Sequence, residues 1–298
     1  MGHAGHAGHS HAHEDSSRLR LALAITAALL IAEVVGGLLS NSIALLADAG
    51  HMLTDVAALG LSLFVAWFAH LPRTSHRTYG YLRWEILAAL INGVTLLLLS
   101  AWIIWESFAR FADPEPVTGG VMLVIATLGL AANVAAAKVL HPSSASSLNV
   151  RGAYLHVVGD MLASVGTVAA AVVIWATGWL EADPLASLFT TALIIRGAWN
   201  LVRESVDVLL ESAPAHCPPG AVRAQLEAIP GIESVHDLHI WSVSSGMVAM
   251  SAHAVVREPE RQQHVLEHIH DAMRLFGIEH VTVQLEREDM AARAKHLH

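Results

Sequence analysis

The chain has 298 residues, 54% of them hydrophobic and 14% charged, with a mean hydropathy of +0.50. That balance excludes an ordinary soluble domain and points to an integral membrane protein embedded in a lipid bilayer. The formal net charge of -9 argues against nucleic acid as a partner, and the single cysteine, Cys217, excludes a disulfide framework or a cysteine-built metal cluster within one chain.

Residues 1–17 place His3, His6, His9, His11 and His13 among Gly, Ala and Ser. Such a segment cannot bury a core and reads as a disordered tail with affinity for metal, apart from any transport site. The first apolar run is long enough to span, so it is expected to be retained rather than cleaved.

Six spans are expected near 19–39, 43–68, 84–108, 118–140, 150–178 and 184–210, each close to the roughly 20 apolar residues that cross a hydrocarbon core. Arg18, Arg20, Arg73, Arg77, Arg83, Lys138, Arg151 and Arg203 collect at one set of ends. Asp113, Glu115, Glu181 and Asp183 collect at the other, with Arg110 as the exception. The excess of Arg and Lys predicts that both termini are cytoplasmic. Short loops and a compact chain suggest a multi-pass protein of a bacterial inner membrane.

From Ser212 the hydropathy falls, and Pro214, Pro218, Pro219 and Gly220 form a linker to a small soluble domain. A helix is expected over 221–228, two strands over 235–243 and 247–256 joined at Ser244-Ser245-Gly246, a helix over 258–276 and a strand over 280–285. The order α-β-β-α-β is that of an open two-layer α/β sandwich. The domains are therefore a tail (1–17), a six-helix membrane domain (18–211), a C-terminal domain (212–286) and a flexible end (287–298).

Two stretches carry chemistry. His51 precedes Asp55 by four residues in the second span, and His156 precedes Asp160 by four in the fifth. Four residues are just over one turn, so each pair shares one helix face. Carboxylates at membrane depth are costly and mark ion pathways by default. Polar packing between helices accounts for a lone Asn133 or Thr167 but poorly for two ionisable pairs at one spacing.

Two His and two Asp supply a complete ligand set for Zn²⁺, and also suit Co²⁺ or Ni²⁺. Two aspartates neutralise a divalent ion, and a histidine must lose its proton to bind it, so metal and protons are linked cargoes. Asp48, one turn from His51, is a candidate to support the site or line its access. Glu33 in the first span is a candidate histidine partner or proton relay. An intramembrane metalloenzyme would need a His-Glu-x-x-His motif, which the chain lacks, so no enzyme is expected. A passive channel is a second alternative, needing no proton gradient, and a sensor whose soluble domain is the functional part is a third, which six spans with an intramembrane site disfavour.

The stretch Ser42-Ile43-Ala44-Leu45-Leu46-Ala47-Asp48-Ala49-Gly50-His51-Met52-Leu53-Thr54-Asp55, the His156/Asp160 pair and the segment His236-Asp237-Leu238-His239-Ile240-Trp241 together resemble the cation diffusion facilitator family, over nearly the whole chain. The His-rich start is similar to that of its zinc/cobalt/cadmium-resistance branch. The resemblance implies a homodimeric exchanger that moves cytoplasmic Zn²⁺ outward for protons by alternating access, with His51, Asp55, His156 and Asp160 as a tetrahedral site. It also implies preference for zinc over cadmium, with Co²⁺, Cd²⁺ or Ni²⁺ as further substrates. The C-terminal domain resembles a metallochaperone fold that dimerises around zinc. Its implied ligands are His236, His253 and Glu286, with His264 in addition. Where some members carry a histidine on the last strand, this chain has Gln284. His239 is assigned to packing.

Overall fold

Two apolar helices open the described chain, α1 (Thr26–Ser40) and α2 (Ile43–Leu53). Four helices long and apolar enough to cross a membrane follow: α3 (Arg83–Ala112), α4 (Gly119–Leu140), α5 (Leu148–Thr177) and α6 (Ala182–Leu209). The structure is a computed structural model that describes residues 24, 26–53, 56, 76, 78–141, 148–244, 246–256 and 258–287, with side chains at all of these but 139, 140, 148–156 and 259. The last four expected spans correspond to α3 through α6; much of the first two lies outside the described residues. The chain divides into two compact units, one of residues 1–62 with 91–200 and one of residues 63–90 with 201–298.

In the first unit the turn between α1 and α2 follows from three residues. Asn41 adopts a left-handed φ of 55°, which Asn tolerates better than most side chains. The Ser42 amide then donates back to the Gly37 carbonyl at 3.0 Å, closing a Schellman-type end on α1. Small residues let the helices approach: a Cβ on Gly36 would lie 2.6 Å from Cγ1 of Ile125 in α4. Across α4 and α5 the Asn133 amide donates to the Ser164 hydroxyl at 3.1 Å, the packing role expected of Asn133. Apolar side chains such as Leu98, Trp105, Leu162 and Trp175 are largely exposed, the surface a bilayer would cover.

In the second unit the order is α7 (Pro219–Glu227), β1 (Ser234–Ser244), β2 (Met247–Val255), α8 (Gln262–Arg274) and β3 (Ile278–Glu286), with one 3₁₀ turn (Pro259–Arg261) before α8. This is the expected α-β-β-α-β order. β1 pairs with β2 antiparallel, as the hairpin signal predicts, and β2 pairs with β3 parallel through the α8 crossover. Val222 and Leu226 of α7 and Val265, Ile269 and Met273 of α8 bury their apolar faces against Val235, Met250 and Ala252 of the sheet. The alternation of a strand sends the neighbouring residues to the opposite face of the sheet, away from the helices.

Candidate metal centres

The intramembrane site is built from the start of α2. Asp183, fully buried in the first turn of α6, accepts hydrogen bonds from the Ile43 amide at 2.9 Å, the Ala44 amide at 3.2 Å and the Ser42 hydroxyl. A carboxylate from another helix thus caps α2, satisfying orphan N–H groups where the helix dipole favours negative charge. Arg110 of α3 lies 3.7 Å from the same carboxylate and also engages Glu106, Glu115 and the Asn41 carbonyl. Arg110, the exception in the charge pattern, is therefore a buried tertiary anchor.

Fixing α2 in this way directs His51, more than two turns on, toward α5. His51 Nε2 lies 3.0 Å from Asp160 Oδ1, so one member of each His-x-x-x-Asp pair meets the other across two helices. Asp160 is 8% exposed, and Asp48 and Glu33 are deeper still at 3% and 1%. The carboxylates of Asp48 and Asp160 both act electrostatically on Glu33, so these acidic groups share one polar region. α4 makes room for Glu33 at Gly129, where a Cβ would stand 2.6 Å from Glu33 Oε1. Asp55 lies outside the described residues, and so does the side chain of His156, whose backbone is part of α5.

The second centre lies on the sheet face away from the helices. His236 sits opposite His253 in the β1–β2 ladder, His253 opposite Gln284, and Val255 opposite Glu286 in the β2–β3 ladder. Each strand thereby contributes one donor. His253 Nδ1 is 2.9 Å from Glu286 Oε1, His236 Nε2 is 3.4 Å from Glu286 Oε2, and the two imidazole rings are 5.3 Å apart. Ligand atoms of His236, His253 and Glu286 all lie within 4.8 Å of one another, so the three can meet at one ion. Glu286 is 4% exposed, and the Gln284 amide donates to its Oε1 at 2.8 Å. Gln284 thus braces the carboxylate from the position where the resemblance offers a histidine.

The structure does not bring His264 to this group. His264 lies on α8, with its ring centroid 4.1 Å from that of His268. His239 is not packed inside as expected: its side chain is 56% exposed and its Nε2 is 2.9 Å from Asp237 Oδ1. Two features escaped sequence reasoning, the Asp183 cap and the backbone break at Asp237. Arg110 in an acidic loop region signalled the first. The second left no signal, because Asp237 reads as an ordinary strand residue.

Comparisons with known proteins give the family of the chain. Residues 19–210 match the cation efflux transmembrane domain, and residues 219–288 match the cytoplasmic domain of cation efflux proteins. The chain belongs to the cation efflux family. It is 44% identical over 284 residues to the zinc transporter ZitB of Pectobacterium atrosepticum, covering 93% of this chain and 88% of that protein. It is 40% identical to the cadmium, cobalt and zinc/H(+)-K(+) antiporter of Bacillus subtilis, over 94% of this chain and 92% of that one. The metal cation efflux system protein CzcD of Cupriavidus metallidurans is also 40% identical, over 94% of this chain and 90% of that one. The family places the chain among membrane transport proteins rather than enzymes, as the missing metalloprotease motif led us to expect.

Proposed function

We propose that this cation efflux protein exports cytoplasmic Zn²⁺, and secondarily Co²⁺, Cd²⁺ or Ni²⁺, in exchange for protons. The cargo site is His51 and Asp55 of the second span with His156 and Asp160 of the fifth. The observation that carries this reading is the 3.0 Å approach of His51 Nε2 to Asp160 Oδ1 inside an apolar bundle. Two carboxylates and two neutral imidazoles hold a divalent ion with no net charge, so the loaded site can reorient in a low-dielectric medium. The empty site takes protons on its histidines, which couples the two fluxes. Asp48 supports the site beside His51, and Glu33 serves as the neighbouring proton relay. The relatives named for zinc, cobalt and cadmium transport support the choice of cargo.

The chain acts as a homodimer in a bacterial inner membrane with both termini in the cytoplasm. The charge distribution supports that orientation, and the cytoplasmic domain match supports the pairing. His236, His253 and Glu286 fit Zn²⁺ by donor type and mutual distance. Zinc held there would tie the three strands of the domain together and make it responsive to cytoplasmic metal.

The test is zinc uptake into proteoliposomes with and without an imposed pH gradient, beside Asp160→Ala. Gradient-dependent uptake that disappears in the variant supports the exchanger. Uptake indifferent to the gradient favours a channel, and uptake that survives in Asp160→Ala means the site is elsewhere.

A further inference from the structure

A strand alternates its side chains with period two, so His236 and His239, three apart, belong on opposite faces of a regular β1. The ladder shows otherwise. His236 pairs with His253 and His239 pairs with Ser251, so three steps of β1 oppose two steps of β2. The extra residue is a β-bulge, and Asp237 within it adopts a left-handed φ of 50°. Val235 and Leu238 reach the core on one face, while His236 and His239 both emerge on the other.

The bulge also aims a carboxylate. Asp237 Oδ1 is 2.9 Å from His239 Nε2, and Asp237 Oδ2 is 3.7 Å from His253 Nε2. His253 therefore has a carboxylate at each ring nitrogen: Glu286 at Nδ1 and Asp237 at Nε2. The three-donor group is His236, His253 and Glu286, and Asp237 stands beside it at the other ring nitrogen of His253. A metal-bound imidazole keeps its remaining N–H for an outer acceptor, and a carboxylate there fixes the tautomer, orients the ring and strengthens the donor.

We infer that Asp237 is the positioning residue of the cytoplasmic metal centre, holding His253 so that Nδ1 faces the ion beside Glu286, with His239 bracing the carboxylate from its other side. This rests on the reading of His236, His253 and Glu286 as a zinc site. Metal held at Nδ1 would leave Nε2–H to point at Asp237 Oδ2, 3.7 Å away, as its outer acceptor. The role needs a side chain that accepts two contacts and tolerates left-handed backbone, which Asp and Asn do and most residues do not.

The test measures Zn²⁺ binding to the full-length protein in detergent by competition with a chromophoric chelator, together with the visible spectrum of bound Co²⁺. The component lost in His253→Ala defines the centre. Asp237→Gly suits the left-handed backbone and removes only the carboxylate, whereas Asp237→Asn keeps an acceptor. We expect Asp237→Gly to weaken that component about 10–100-fold and to alter the Co²⁺ spectrum. Asp237→Asn should retain most of the affinity. Wild-type affinity and spectrum in Asp237→Gly would show that Asp237 serves the bulge alone and would overturn the inference. A His253→Ala protein that binds all the zinc of the wild type would overturn the zinc-site reading and this inference with it.

Discussion

Replacing Asp183 by alanine removes a cap that α2 receives from another helix. The Ile43 and Ala44 amides lose acceptors at 2.9 and 3.2 Å, and the Ser42 hydroxyl loses its partner, all in a region closed to water. Loss of a helix cap costs about 1–2 kcal/mol. Each buried donor left unsatisfied adds about 1 kcal/mol or more. Arg110 keeps Glu106, Glu115 and Asn41, so it is not stranded and the larger penalty of an orphaned buried charge does not apply.

The sum for Asp183→Ala is about 4–5 kcal/mol, which at roughly 2–4 °C per kcal/mol lowers the melting temperature by about 8–20 °C. Because the cap also sets the direction of α2 toward α5, proteoliposome zinc uptake should fall as well. Asp183→Asn keeps one acceptor oxygen and should lose about half as much stability. Melting of the purified protein in detergent, followed by tryptophan fluorescence, reads the effect. A melting temperature for Asp183→Ala within two or three degrees of wild type, with full transport, would refute the reasoning that Asp183 anchors α2.

Further perturbations address other parts of the molecule. Gly129→Ala drives a methyl to 2.6 Å from Glu33 Oε1 and should cost about 1–3 kcal/mol of stability with reduced uptake, whereas Gly197→Ala, which meets nothing within 4 Å, should be neutral or stabilising by up to about 1 kcal/mol. Ile269→Ala empties a fully buried position in the α/β core and should destabilise it by about 2–5 kcal/mol, read as chemical melting of the domain by far-ultraviolet circular dichroism. Cys217 donates its thiol to the Phe276 carbonyl at 3.1 Å, and burial pushes its pKa above the ordinary thiol value. A raised pKa leaves less thiolate at any given pH, so maleimide labelling of the folded protein should be slow at pH 7 and should keep rising beyond about pH 10, where an exposed thiol levels off. Rapid labelling at pH 7 without denaturant would show the thiol to be accessible.

The amino-acid sequence by itself determined what local rules control. The membrane helices α3 to α6 follow from apolar length, and the α-β-β-α-β order from periodicity and turn residues. These depend on neighbours a few residues away, so their signal survives in one dimension. That α2 faces α5 with His51 against Asp160, that Asp183 reaches back across 140 residues to cap Ile43, and that His264 stands apart from His236, His253 and Glu286 were decided only by tertiary packing. The bulge at Asp237 belongs with them. Which face a strand residue takes depends on its register with the partner strand, and one extra residue there reverses the parity that the sequence pattern implies.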